Sequence, residues 1–290
     1  MTHRQRTLDN VVEIRGVGLF SGREVFVRCV PAPEGSGVTF VRVDMPDAPA
    51  IPACITRLAP PGSSPLRATS LRQGDATVAT IEHIMATVYG LGIDNLRVEV
   101  NGPEMPVGDG SAMTYVEPFR RAGLREQGAP AARFSPAAPL WVTEGDVFLA
   151  LVPHENALTV TYVLDYGRKF LRSQALTIEM SEETFVKEIA PARTYCLRPE
   201  IEFFLSRGLG RGATEENTIV VEEDGSMPPG LRFPDECVRH KILDLLGDVA
   251  LGARLATGRV VGYKSGHVTN VRLARMIRES LARSAQPVAR

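Results

Sequence analysis

The chain has no surplus of either charge: 33 Lys and Arg stand against 34 Asp and Glu in 290 residues, a net charge of −1. That balance excludes a broad phosphate-neutralising surface, so nucleic acid is not an expected partner, and it excludes an acidic solvating tail. Long apolar runs are also missing. Val147–Val152, six residues, is typical of the longest, whereas roughly 18–20 are needed to span a bilayer. No apolar stretch follows the charged opening Met1–Arg6, so a secretory signal is not expected. Cysteine is sparse and never spaced as C-x-x-C. Cys29, Cys54, Cys196 and Cys237 read as reduced core thiols of a cytoplasmic protein. Histidine is limited to His3, His83, His154, His240 and His267. The rest of the composition, 44% hydrophobic and 23% charged, is that of a globular protein, and the length suits about two domains.

One segment breaks the texture. Residues 128–139 hold three prolines, one glycine and five alanines; prolines at that density interrupt a helix, and there is no strand alternation. It reads as a linker between a first domain, 1–127, and a second, 140–290. In the first, β-branched runs predict strands at Thr7–Ile14, Glu24–Val30, Gly37–Val43 and Leu96–Val100. Apolar spacing predicts helices at Thr77–Tyr89 and Met113–Ala122. The second repeats the order, with strands at Val147–Val152, Leu158–Leu164 and Arg259–Tyr263, and helices near Glu182–Glu188 and over Asp235–Leu255 and Val268–Arg283. Two α+β halves of similar element order are the expected architecture.

Three patches could carry chemistry. His240, Asp244 and Asp248 recur at i, i+4 and i+8, on one face of the long helix, where a His and an Asp one turn apart can grip one metal ion. Taken alone, the same row is as well described as a solvated polar face. Glu82-His83 lies in the first predicted helix, its side chains about 100° apart; a ligand histidine beside a proton-accepting carboxylate would suit catalytic zinc, and a surface Glu beside a half-buried His is the plain alternative. His267 closes Lys264-Ser265-Gly266-His267, a turn that could present it to a cleft or do nothing. His154 and His3 read as histidines without a role. Together, two His, an Asp, a Glu and a further His make up the parts of a metal-assisted hydrolysis: ligands, base and acid.

Longer strings carry more. Thr80-Ile81-Glu82-His83-Ile84-Met85-Ala86 with Gly90-Leu91-Gly92-Ile93-Asp94-Asn95, Ala192-Arg193-Thr194, Gly230-Leu231-Arg232, Val238-Arg239-His240-Lys241-Ile242-Leu243-Asp244 with Gly247-Asp248, and Lys264-Ser265-Gly266-His267 with Asn270 occur in that order. From about Gln5 to Leu281 the chain resembles the UDP-3-O-acyl-N-acetylglucosamine deacetylases, the zinc amidases of lipid A biosynthesis. The resemblance implies two similar α+β domains, each a sheet with a helix pair, packed together with the active site between them. It implies Zn²⁺ held by His83, His240 and Asp244, Glu82 as general base, His267 as catalytic histidine and Asp248 as its orienting partner. Thr194 would help stabilise the oxyanion and Lys241 would bind substrate. Further implied are a UDP-3-O-acyl-N-acetylglucosamine substrate, a monomer, and a cytoplasmic location with peripheral contact at the inner membrane. The arginine-rich stretch 271–290 could favour an anionic lipid surface or form a solvated basic helix.

The chain departs from the family in places. Gly18-Leu19-Phe20-Ser21-Gly22 has Phe20 where the family usually has histidine, and Glu200 stands where an aspartate is common. The stretch Tyr166–Leu171 is unlike the family's usual acyl-chain passage; Phe170 and Tyr195 are the candidates for substrate packing there, or simply core. Two other readings stay open at this level: a zinc deacetylase for a different N-acylated sugar, and a catalytically inactive relative.

Overall fold

The computed structural model describes residues 3–60, 62, 67–167 and 171–284; Phe170 lies outside them. The chain opens with β1 (Arg4–Leu8), β2 (Val12–Val17), β3 (Glu24–Pro31), β4 (Val38–Arg42) and β5 (Ala50–Pro52). A hairpin of β6 (Ser70–Gln73) and β7 (Ala76–Ala79) leads into helix α1 (Glu82–Leu91), then β8 (Leu96–Val100), α2 (Met113–Ala122) and β9 (Leu124–Pro130). Five of these strands form a sheet in the order β2-β3-β8-β4-β5, antiparallel except for β4 beside β8.

The remainder repeats that plan. It contains β10 (Leu140–Glu144), β11 (Val147–Val152), β12 (Leu158–Leu164) and β13 (Gln174–Glu179), then a short α3 (Glu182–Thr184) that widens into a turn over Phe185–Ile189. Next come β14 (Thr194–Leu197), α4 (Arg198–Ser206) and β15 (Thr218–Val221), followed by α5 (Glu236–Val249), β16 (Gly258–Tyr263) and α6 (His267–Ser284). The second sheet runs β10-β11-β16-β12-β13, and again its one parallel pair is the third strand with the fourth, β16 with β12. In each sheet the middle strand is preceded by one helix, α1 or α5, and followed by another, α2 or α6. The fold is α+β, two similar sheet-and-helix-pair units. The parallel pair β14/β15 with α4 between is an addition in the second unit.

Period-two burial explains the strands. In β2, Val12 and Ile14 turn inward and Glu13 and Arg15 outward; Leu96, Val98 and Val100 do the same in β8. These faces, with Phe40, Ile84 and Phe119, make one core, and Leu149, Leu151, Val160, Tyr162, Ile242 and Leu245 belong to the other. α1 is buried along its whole length and lies against α5 at very close range. A Cβ on Gly247 would fall 2.1 Å from the carbonyl oxygen of Glu82, so only glycine permits that approach.

Several expected elements are corrected. Thr7–Ile14 is not one strand: the chain turns at Asp9 and Asn10, tied there to Gly123 and Ala122 carbonyls. The helix expected from Thr77 begins only at Glu82, because Thr77 and Val78 pair with Arg72 and Leu71 across the hairpin and Thr80 takes a left-handed φ of 59°. The long helix stops at Val249 rather than Leu255, where Gly252 packs on the Ala274 carbonyl. Residues 128–130, read as the start of a linker, finish β9 opposite β1, with Gln5 donating to the Pro130 carbonyl at 3.1 Å.

Candidate active site

The left-handed Thr80 turns the chain sharply out of β7, so that Glu82 and His83 fall in the first turn of α1 rather than in its middle. A β-branched residue with positive φ is costly and persists only where its surroundings enforce it. Here the ladder on one side and the buried helix on the other do so. Lys264, three residues before His267, also has a positive φ, 56°. It precedes the turn from which α6 starts, with His267 as its first residue. Both helix starts that carry expected site residues thus follow a residue with positive φ.

α5 carries His240, Asp244 and Asp248 on one face, and that face is not solvated. These three, together with Glu82 and His83, are each at most 5% exposed. The close packing of α1 on α5 shuts them away from water. His240 and Asp244 approach with Nε2 to Oδ1 at 3.4 Å, and the His83 and His240 rings meet edge to face with centroids 5.1 Å apart. One ligand atom from each of His83, His240 and Asp244 lies within 4.8 Å of the others.

A metal fits these donors. The 3.4 Å edge is what a tetrahedron with bonds of about 2.1 Å requires. His240 Nδ1 lies 3.0 Å from the Ala192 carbonyl; donating there fixes the tautomer and leaves the Nε2 lone pair for the ion. Burial, with His240 nearby, holds His83 down at about 3, and burial lowers His240 as well. Both shifts favour the neutral ring that a metal ligand must be. Asp244 is held below the usual carboxylate range: burial opposes this, but Lys241 and the three histidines around it prevail. Lys241 Nζ donates to Asp244 Oδ2 at 2.9 Å, leaving Oδ1 for a metal.

The remaining groups surround the triad. His267 Nδ1 pairs with Asp248 Oδ2 at 2.9 Å, and its Nε2 lies 3.9 Å from Asp244 Oδ2. Burial works against a charged ring, yet Asp248 and Asp244 raise His267 to about 9. Asn270 Nδ2 also donates to Asp248 Oδ2, at 2.9 Å. Burial raises Glu82 to about 8, with Asp244 and Asp248 adding to the effect and His267 opposing it. Sequence reasoning missed Thr69, which joins these groups. Its N–H donates to Glu82 Oε2 at 3.0 Å, its hydroxyl donates to Asp248 Oδ1, and the same hydroxyl is 3.2 Å from His267 Nδ1. No spacing pattern marks a lone threonine just before a hairpin strand, and only the tertiary fold reveals it.

The second unit supplies the other expected residues. Thr194 opens β14, its N–H bonded to the Gly110 carbonyl at 2.8 Å, two residues after the carbonyl that holds His240. Tyr195 sets its ring edge-on to His240 with centroids 6.3 Å apart, and shares a 2.9 Å hydrogen bond with the Tyr166 hydroxyl. This loop is anchored by the fully buried Glu236, which accepts from Arg193 N and Nε, both at 2.9 Å, and from Arg232 N at 2.7 Å. Phe20 is buried against Phe204 of α4, ring centroids 6.3 Å apart, and Glu104 receives its N–H at 2.7 Å. Glu200 accepts from Leu197 N and pairs with Arg67.

Two imidazoles and a carboxylate that could hold a metal ion, with a second carboxylate beside them, lie buried where two similar α+β units meet, a set that suits a hydrolase. The chain belongs to the UDP-3-O-acyl N-acetylglycosamine deacetylase family, whose sequence profile it matches over residues 5–279. It is 40% identical over 277 residues to the UDP-3-O-acyl-N-acetylglucosamine deacetylase of Myxococcus xanthus, a match covering 95% of this chain and 87% of that protein. The deacetylase of the same description from Anaeromyxobacter dehalogenans is 39% identical over 274 residues, covering 94% of this chain and 87% of its own length. That from Trichormus variabilis is 38% identical over 280 residues, covering 94% and 98%.

Proposed function

We propose that this chain is a zinc-dependent amidase that removes the N-acetyl group of UDP-3-O-acyl-N-acetylglucosamine, giving acetate and UDP-3-O-acyl-glucosamine, the committed step of lipid A biosynthesis. The buried triad His83, His240 and Asp244, with Glu82 and the His267–Asp248 pair beside it, carries this reading. Both units, taken as domains over 1–127 and 140–290, contribute to it.

His83, His240 and Asp244 would hold the zinc, which would supply a Lewis acid for a carbonyl oxygen and for water. Glu82 is the proton acceptor. Its raised affinity for a proton, near 8, suits a group that must take one from water and give it up again, and the Thr69 N–H fixes the oxygen that does not receive it. His267, kept protonated by Asp248, offers a positive charge and a donor to the substrate. The leaving amine takes its proton from His267 or from Glu82. Thr194, carried on the strand that also brings Tyr195 to His240, is suited to donate to the carbonyl oxygen as charge gathers there. Lys241 gives one of its three N–H donors to Asp244 and is the proposed substrate-binding lysine through the others. Tyr195, and Phe170 beyond the described residues, are the proposed contacts of the acyl chain.

A deacetylase acting on a different N-acylated sugar is the second reading, and Phe20 favours it, since an apolar ring packed on Phe204 replaces a polar group. The arginines 272, 275 and 278 are exposed on α6 and suit peripheral contact of a cytoplasmic monomer with an anionic inner membrane surface. The test is metal analysis with acetate release on one preparation. One zinc per chain and chelator-sensitive acetate release from the UDP-sugar is the expected result; bound zinc with no acetate released would favour the second reading.

A further inference from the structure

Far from this chemistry, three guanidinium groups gather at the C-terminal end of α1. Arg6 Nη1 reaches the Leu91 carbonyl at 3.5 Å and Glu182 Oε2 at 3.1 Å. Arg133 Nη1 donates to Asp94 Oδ1 at 2.7 Å, and the other oxygen of Asp94 accepts the Arg6 N–H at 2.9 Å. Arg254 lies against Gly92, where a Cβ would fall 2.8 Å from its Nη1, and over the Tyr89 ring at 5.7 Å. That Nη1 is buried and without a hydrogen-bond partner. Among the described residues the Arg254 guanidinium forms no ion pair.

The carbonyl end of α1 and the Tyr89 ring both favour a cation here, yet neither gives that Nη1 an acceptor. The Val88 and Tyr89 carbonyls already accept from the backbone of Ile93 and Gly92, and Leu91 is served by Arg6. The two carboxylates, Asp94 and Glu182, are taken by Arg6 and Arg133, so three cations share two anions. A half-buried cation without an anionic partner is costly, and planar guanidinium forks match the oxygens of a tetrahedral anion. We propose that Arg254, with Arg6 and Arg133, forms a second binding site, for a phosphate-type anion, at the opposite end of α1 from Glu82 and His83. A ten-residue helix keeps the two ends roughly 14 Å apart, so this site is distinct from the substrate's.

Thermal unfolding in phosphate against a chloride control of equal ionic strength tests it, with wild type beside Arg254→Met. Wild type gains about 5 °C when phosphate reaches a hundred times its Kd, and Arg254→Met gains no more than the chloride control. In phosphate-free buffer Arg254→Met melts at or above wild type, because it removes an uncompensated charge, and its acetate release is unchanged. Vesicles containing phosphatidylglycerol form a second arm. Stabilisation by inorganic phosphate identifies a free anion as occupant, and stabilisation by vesicles alone identifies a lipid headgroup. No shift in either arm, an equal shift in both proteins, or a marked loss of stability in Arg254→Met without phosphate would overturn the site. Loss of acetate release in both proteins would bear on the amidase reading alone.

Discussion

α1 and α5 hold equivalent places in two similar units, yet they deliver their chemistry differently. α1 presents Glu82 and His83 from a single first turn, aimed by the left-handed Thr80 before it and steadied by a backbone N–H from Thr69. α5 presents His240, Asp244 and Asp248 along three successive turns of one buried face, and relies on side chains: Asn270 on Asp248, Lys241 on Asp244, and Glu236 holding the loop behind His240. The duplicated fold supplies two helix positions that meet, and on the proposed mechanism the chemistry is divided between them: the base and one ligand from α1, two ligands and Asp248, the partner of His267, from α5.

If the two helices share one metal, damage on either side has the same consequence. His83→Ala and His240→Ala should each lose bound zinc and at least about 10⁴-fold in acetate release, equivalent to about 5.5 kcal/mol. A variant of one helix that keeps full zinc would mean the ion belongs to the other alone.

The next effect belongs to the second unit only. Glu236→Gln leaves Arg193 unpaired beside the fully buried acid position and should cost about 3 kcal/mol in urea unfolding at pH 7. Burial would raise the Glu236 pKa, but the bonds from Arg193 and Arg232 outweigh it and hold it low. Its stabilisation is therefore complete above the unfolded value of about 4.3 and fades as pH falls through the lower folded value. The gap between wild type and Glu236→Gln should shrink below about pH 4; a gap that stayed constant would remove the ion pair from the account.

The smallest effect tests the bridge between the units. Thr69→Val keeps the N–H to Glu82 but drops the hydroxyl from Asp248, and should lower kcat about tenfold with little change in KM. Thr69→Ser should restore most of the rate. Equal losses in both variants would point to packing instead.

The sequence revealed the α5 residues because a helix repeats every 3.6 residues, and His240, Asp244 and Asp248 sit at that spacing. It did not reveal that they are buried, since burial comes from α1 closing over them through Gly247. The inner strands of both sheets could be read from β-branched runs, whereas the edge strands β5, β10 and β13 were not predicted. β14, β15 and α4 could not be read either: their burial is mixed and their partners are close only in space. Apolar spacing alone placed the start of α1 five residues early, because Thr77 and Val78 suit the inner pattern of a helix or a strand and only the hairpin decides. Thr69 carried no signal at all, since its role comes from groups 13 and 179 residues away.

The division of labour is tested most directly by Glu82→Ala, assayed for bound zinc and acetate release together. Zinc should remain at one per chain, because His83, His240 and Asp244 are untouched, while kcat falls by about 10²–10⁴ through loss of the general base. Near wild-type kcat would contradict the account, and so would loss of the metal.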